Sequence, residues 1–179
     1  MTETITRHQR THSTHPAFRA SEQLAANLQA VLVDLVDLHV VGKQAHWNVV
    51  GKNFRDLHLQ LDEIVDAGRE FADQLAERMR ALYITPDARS ATVAHQSSLP
   101  AFPSEEIDTA DCVDLIVSSL YATAGTARRV HDAVDAEDPT SADLLHGFLE
   151  RLEQLAWMTD AENRVANQSV PPNVAVDHG

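Results

Sequence analysis

The sequence predicts an all-α protein in which four long helices form a bundle with one long crossover connection. Over long stretches the apolar residues recur at steps of three and four, which is the period of an amphipathic helix. Aromatic residues make up only 5% of the chain and β-branched runs are short, which disfavours a sheet. No proline lies between Pro16 and Pro86, so two long helices fit there. A chain of 179 residues is long enough for one domain with a sizeable core.

The first two helices are predicted at 21–48 and 53–82. Ser21 followed by Glu22 is typical of a helix start, since a hydroxyl and an acid both favour the N-terminal turn. The connection at 49–52 is tight, and Gly51 is free there to adopt a positive φ.

The long connection is predicted at 84–109, which holds three of the seven prolines and shows little periodicity. The third helix is expected at 109–136 with Thr109 as its cap. Asp138-Pro139-Thr140 then breaks the chain before a fourth helix at 141–167. We expect 21–167 to form the domain, with 1–20 and 168–179 as flexible tails.

Charge and cysteine content favour an acidic cytoplasmic protein. The formal net charge of −13 repels nucleic acid and attracts cations. The single cysteine, Cys112, fits a reducing compartment. Residues 1–10 lack the apolar core of a secretory signal, and no apolar run is expected to approach the ~20 residues that a membrane span needs.

Two pairs of metal-ligating side chains lie on the second predicted helix. His58 and Asp62 are four residues apart, and so are Asp73 and Glu77. Each pair therefore shares a helix face. Imidazole and carboxylate ligands without thiolate suit iron, manganese or zinc, and a carboxylate-rich set favours iron or manganese.

The two pairs are too far apart for one ion to use both within one subunit. At ~1.5 Å per residue they lie ~16 Å apart along the helix axis, whereas ligands must lie within ~2–2.5 Å of a metal. Two antiparallel copies of the helix, related by a two-fold axis near Val65, Asp66 and Arg69, would bring the pairs together and create two equivalent sites. Asp66 of one copy could then pair with Arg69 of the other. His46, at the end of the first helix, can join His58 across the turn.

A dimetal site inside one bundle is not predicted. Such sites use Glu-x-x-His motifs on two helices, and the chain has no Glu-x-x-His. The nearest substitute is a lone Asp143-x-x-His146.

Residues 44–51, Gln-Ala-His-Trp-Asn-Val-Val-Gly, resemble the Dps family (DNA-binding protein from starved cells). The resemblance continues through Phe54, His58, Asp62, Asp73 and Ala76-Glu77-Arg78 and extends over about 21–167. Residues 42–47 and 129–138 look like the actinobacterial branch of that family.

The resemblance implies a ferritin-like bundle that assembles into a hollow dodecameric shell with ferroxidase sites at two-fold axes. The family oxidises Fe(II), commonly with hydrogen peroxide, and stores ferric mineral inside. By position, one subunit would supply His46, His58 and Asp62 and its mate Asp73 and Glu77. Iron is the expected metal, although manganese or zinc could occupy the site. Trp47 matches a family position proposed to trap radicals, with a plain interface aromatic as the alternative.

Acidic residues around the last helix–helix connection are candidates for an iron entry pore. Asp135, Asp138 and Asp143, with Glu137, would form an acidic funnel if three copies met around a three-fold axis, where the family has a pore. The alternative is that a helix N-terminus simply favours acids.

DNA binding would depend on the N-terminal tail, where Arg7, Arg10 and Arg19 are the candidate contacts. A nucleoid-compacting architectural protein with secondary metal binding is therefore the main alternative function. A bundle used only for assembly is another, and manganese-based disproportionation of peroxide is a weaker one because the motif for a site inside one bundle is missing.

Overall fold

The computed structural model describes residues 18–166, and its architecture is the predicted ferritin-like helical bundle. Four long helices and one short helix follow each other along the chain: α1 (Glu22–Asn48), α2 (Phe54–Ala81), α3 (Ser90–Gln96), α4 (Thr109–Glu137) and α5 (Pro139–Asp160). The hairpin of α1 and α2 packs against the hairpin of α4 and α5, and α1 also packs directly on α4. The all-α prediction is confirmed.

The bundle begins at the predicted helix start. The Ser21 hydroxyl accepts a hydrogen bond from the N–H of Leu24 at 3.0 Å. The same residue donates from its own N–H and its hydroxyl to the Glu137 carboxylate, at 2.7 and 2.6 Å. The N-cap of α1 is thereby tied to the last turn of α4.

The connection between α1 and α2 is as tight as the sequence predicts. Gly51 has a φ of +122°, and a Cβ at this position would lie 3.0 Å from a carboxylate oxygen of Asp108. The two-residue strand β1 (Val49–Val50) pairs in parallel with β2 (Ile107–Asp108), which lies just before α4. The crossover therefore returns along the bundle to the end where α2 begins.

The crossover contains an ordered helix that the sequence did not predict. Helix α3 lies on α1, and its seven residues are too few to show a helical period. Ser97 donates its hydroxyl to Asp37 at 2.5 Å, and Ser98 donates its N–H and hydroxyl to Asp34 at 2.9 and 2.6 Å. Asp34 is only 1% exposed, so these bonds fix the crossover to a buried position of α1.

The cap of α4 and both ends of α5 differ from the prediction. The cap of α4 is Asp108, whose carboxylate accepts the N–H of Ala110 at 2.9 Å, and Thr109 is the first helical residue. Helix α5 starts at Pro139. Proline is tolerated there because the N–H groups of the first helical turn have no partner within the helix, so the N–H that proline lacks is not needed. Helix α5 ends at Asp160, seven residues before the predicted end, and Val165, beyond the helix, is 60% exposed.

Helix α1 is more apolar than the sequence analysis expected. An 18-residue window of it has a mean hydropathy of 1.6, which by length and composition alone would suit a membrane span. Over half of that window, 56%, is buried inside the protein. Its leucines, with Val31 and Val41, belong to the core of the bundle, together with Cys112. Burial raises the pKa of the Cys112 thiol to about 12.

Candidate metal centre

His46 and His58 are held together where α1 ends and α2 begins. Their rings stack with centroids 3.6 Å apart. The Nδ1 of each ring lies 3.0 Å from the backbone carbonyl of the other residue. A carbonyl oxygen can only accept, so each Nδ1 carries a proton, and in the neutral ring Nε2 is the nitrogen that can bind a metal. Bonds of this kind fix the tautomer and the orientation of histidines that bind a metal through Nε2.

Asp62 lies one turn along α2 from His58. Its Oδ1 is 3.2 Å from the Nδ1 of His46 and 2.5 Å from the ammonium of Lys43. The hydrogen bond from Lys43 holds the pKa of the Asp62 carboxyl below its ordinary value, with smaller contributions from the two histidines. The carboxylate is thus ionised and beside the imidazoles, but a metal ion would have to compete with Lys43 for it.

The sequence analysis assigned no role to Lys43. Residues 43 and 46 are three apart on α1, and 58 and 62 are four apart on α2. Stacking of the two histidines brings their neighbours Lys43 and Asp62 into register. The spacing of these four residues could have predicted the contact between Lys43 and Asp62, but only if α1 and α2 were already known to pack as an antiparallel pair.

Asp73 and Glu77 are exposed on α2, well away from the histidine pair. Their distance from Asp62 is set by the helix rise, about 16 Å between the two residue pairs. Within residues 18–166 of one protomer, no three His, Cys, Asp or Glu side chains are placed to hold a metal ion. The protomer presents two separate halves of the predicted donor set.

One aromatic side chain packs on the histidine pair, and a second aromatic residue follows His46 in the sequence. Phe54 packs on His58 with ring centroids 5.1 Å apart, and it keeps 44% of its surface exposed. Trp47, next to His46, is 70% exposed. Phe54, His58 and Asp62 follow each other at four-residue intervals and so lie on one face of α2.

The structure separates the predicted pore acids. Asp135 and Asp143 are exposed, and Asp143 lies 3.8 Å from the Nδ1 of His146. Asp138 is 8% exposed and receives hydrogen bonds of 2.8 Å from the guanidinium of Arg78 on both carboxylate oxygens. Because its carboxylate is used inside the protomer, Asp138 is removed from the pore candidates. The hydroxyl of Ser141 donates a further hydrogen bond to Asp138, at 2.5 Å.

The environment of Asp138 explains its ionisation. Burial alone would raise the pKa of this carboxyl, but the hydrogen bonds from Arg78 and Ser141 outweigh burial and hold the pKa below its ordinary value. The ion pair joins the last turns of α2 to the connection between α4 and α5.

The structure also describes a second histidine pair and one of the three candidate DNA-binding arginines. His131 packs against His146 with ring centroids 4.3 Å apart, and its side chain is 19% exposed. Of the three DNA-binding candidates, Arg19 is exposed. Arg7 and Arg10 lie outside the described residues.

Comparisons with known proteins agree with this architecture. The Ferritin-like domain family matches residues 25–166. The fine tangled pili major subunit of Haemophilus ducreyi is 35% identical over 77% of the chain and 73% of that protein. DNA protection during starvation protein 2 of Deinococcus radiodurans is 34% identical over 84% of the chain, which spans 61% of that longer protein. The structure of Dps from Microbacterium arborescens in the high iron form superimposes with a TM-score of 0.75 at 33% identity, covering 82% of this chain and 98% of that one.

The chain belongs to the Dps family of ferritin-like proteins. The family resemblance drawn from the sequence is therefore confirmed, and so is the ferritin-like fold. The candidate metal ligands of this Dps-family chain lie on α1 and α2, at their connection and along the exposed side of α2.

Proposed function

We propose that this protein is a ferroxidase and iron store whose metal sites form between two subunits. The observation that carries the proposal is the histidine pair, with both Nδ1 atoms bonded to backbone carbonyls and both Nε2 atoms free, beside the ionised Asp62. Within the described residues of one protomer these side chains lie side by side but do not form a complete metal site.

The missing donors are supplied by Asp73 and Glu77 of a second copy. If α2 packs on the α2 of a two-fold mate, residues 58 and 77 face each other, and so do 62 and 73. In each facing pair the two residue numbers then add up to 135. The same register places Asp66 opposite Arg69, which is a favourable charge pair, on both sides of the axis. Two identical sites arise at opposite ends of the paired helices.

The site suits Fe(II) as substrate and hydrogen peroxide as oxidant. Imidazole and carboxylate ligands bind iron, and manganese or zinc could take the same positions. Two Fe(II) ions give one electron each to one peroxide, which takes up two protons and leaves as two water molecules. Because both electrons leave together, no hydroxyl radical is released. Trp47 lies beside the site and would trap a stray radical, or serve only as an interface aromatic.

The subunits would form a hollow dodecameric shell. Fe(II) would pass through this shell to reach the sites, and the oxidised iron would be stored inside it. Asp135 and Asp143, both exposed near the connection of α4 and α5, are the remaining candidates for an acidic entry pore. The net charge of −13 supports attraction of cations to the shell. We propose a cytoplasmic location and a role in protecting the cell and its DNA from oxidative damage.

The function is tested by adding Fe(II) under anaerobic conditions and then peroxide, while ferric absorption is followed. Asp73→Ala is expected to lose most of the rapid oxidation that the unaltered protein shows. Asp132→Ala is the matched control, since Asp132 is a fully exposed acid on α4. Equal rates for Asp73→Ala and the unaltered protein would refute the assigned site.

DNA binding is a second candidate function. Residues 1–20 carry three arginines and three histidines against one acid, and many copies on one shell would act together. A gel shift at low salt, strengthened below neutral pH, is expected for the full chain and lost without residues 1–20. Retention of the shift after deletion would remove the tail from the account. The double variant His58→Ala with Asp62→Ala should abolish iron oxidation and leave the gel shift intact. If the protein is architectural, its main function would survive in this variant, because DNA binding does not depend on these two residues.

A further inference from the structure

Helix α2 ends in a conformation that normally selects glycine, yet the residue there is tyrosine. The N–H of Tyr83 bonds to the carbonyl of Arg80 at 3.1 Å, and that of Ile84 bonds to the carbonyl of Met79 at 2.9 Å. These two bonds define a Schellman motif, in which the residue at C′ is left-handed and usually glycine. Tyr83 has a φ of +63°.

The ring of Tyr83 makes little use of its own protomer. It is 69% exposed, whereas the preceding Leu82 is 5% exposed. A bulky residue with positive φ is uncommon and is retained where something else requires its side chain. Because the protomer itself buries so little of the ring, that requirement lies outside the protomer.

The two-fold register of the proposed site places Tyr83 at the metal centre of the mate. Residues that sum to 135 face each other, so Ala81 lies opposite Phe54 and Tyr83 lies at the height of residue 52. At ~1.5 Å per residue, Tyr83 is about 3 Å along the axis from Phe54. Ala81 is too small to cover the open face of the Phe54 ring, and Tyr83 is the aromatic residue nearest to Ala81 along the chain.

We infer that Tyr83 is a positioning residue supplied by each subunit to its mate, where its ring packs on Phe54 and closes the aromatic side of the metal site. This inference rests on the proposed inter-subunit site. Phe54 already packs on His58, and His58 on His46. The ring of Tyr83 from the mate extends this stack outward. The Tyr83 ring of the mate limits the motion of His58 and the access of water to His58. The Tyr83 hydroxyl is not needed for this role.

Cross-linking tests the contact without any metal. The double variant Phe54→Cys with Tyr83→Cys is expected to form an inter-subunit disulfide under mild oxidation, giving a covalent dimer. An intrachain bond is excluded, because the two positions lie at opposite ends of α2, about 40 Å apart. The control pairs Phe54→Cys with Tyr121→Cys, at a half-exposed position of α4, and is expected to remain monomeric on a denaturing gel. Absence of the dimer, or equal yield in the control, would overturn the contact.

The release of Zn²⁺ to a chelator tests the role. Tyr83→Gly relieves the backbone conformation and removes the ring, so the helix end survives while Zn²⁺ is expected to leave about tenfold faster. Tyr83→Phe keeps the ring and should retain the unaltered rate. Equal rates for the glycine variant and the unaltered protein, or a phenylalanine variant as fast as the glycine variant, would overturn the role. If the unaltered protein binds no Zn²⁺ that depends on Asp73, the proposed function fails and the role fails with it, while the cross-link still decides the contact on its own.

Discussion

Replacing Asp138 by alanine is expected to destabilise the protein by about 2–3 kcal/mol, because a hydrogen bond to a charged group contributes about 1.5–3 kcal/mol and the partner is left behind. Arg78 bonds both oxygens of Asp138 at 2.8 Å, and Ser141 adds its hydroxyl. Breaking a fully buried ion pair costs about 3–5 kcal/mol. Arg78 keeps 23% of its side chain exposed and can turn to water, which places the cost below that range.

Urea unfolding at matched subunit concentration measures this effect, since assembly couples stability to concentration. Asp132→Ala is the control: this acid lies on the same helix with its side chain fully exposed, and the change should stay within about 0.5 kcal/mol. A loss in Asp138→Ala no larger than in the control would refute the reasoning. It would mean that the ion pair does not hold α2 to the connection of α4 and α5.

The same ion pair predicts a pH dependence. The folded pKa of Asp138 is lowered, so its stabilisation is present above the unfolded pKa, about 4, and is lost as pH falls through the folded value. The difference in unfolding free energy between the unaltered protein and Asp138→Asn should therefore be constant near neutral pH and shrink below about pH 4. A difference that grows on acidification would contradict the assigned direction.

Two further predictions concern metal binding and metal entry. Lys43→Gln frees Asp62 to bind a metal ion. Because a half-exposed ion pair is worth about 0.2–1 kcal/mol, the affinity for Fe(II) or Zn²⁺ in an anaerobic titration should rise up to about fivefold. A fall in affinity would contradict the competition between Lys43 and the metal ion for Asp62. Asp143→Asn should slow the initial uptake of Fe(II) by about two- to tenfold, most strongly at low salt, because steering by exposed charge is screened by ions; a salt-independent rate equal to that of the unaltered protein would remove Asp143 from the entry path.

The sequence predicted the bundle because its long helices carry a strong apolar period and clear boundaries. Ser21 caps α1 and Gly51 takes a positive φ as expected, since both depend on local chemistry. Helix α3 was missed because it is short and is stabilised by contacts with α1 that no local pattern encodes. The end of the last helix was placed too late for a related reason: apolar residues continue beyond Asp160 although the helix does not.

The candidate site was predictable in part. The spacing of His46, His58 and Asp62 placed them together correctly, because α1 and α2 form a hairpin across a tight turn. Lys43 was missed, since its contact with Asp62 arises from the packing of two helices. Asp138 was misassigned to the pore because its charge is visible in the sequence, while its partner Arg78 is 60 residues away.

The inter-subunit site is tested most directly by combining two inactive chains. One chain carries His58→Ala and Asp62→Ala, and the other carries Asp73→Ala and Glu77→Ala, so neither alone can build a complete site. In shells assembled from equal amounts of both, half of the two-fold pairs are mixed, and each mixed pair has one intact site and one doubly altered site. Peroxide-driven Fe(II) oxidation should recover to about a quarter of the unaltered rate. Mixed shells no more active than either parent would show that the donors do not meet across the two-fold axis.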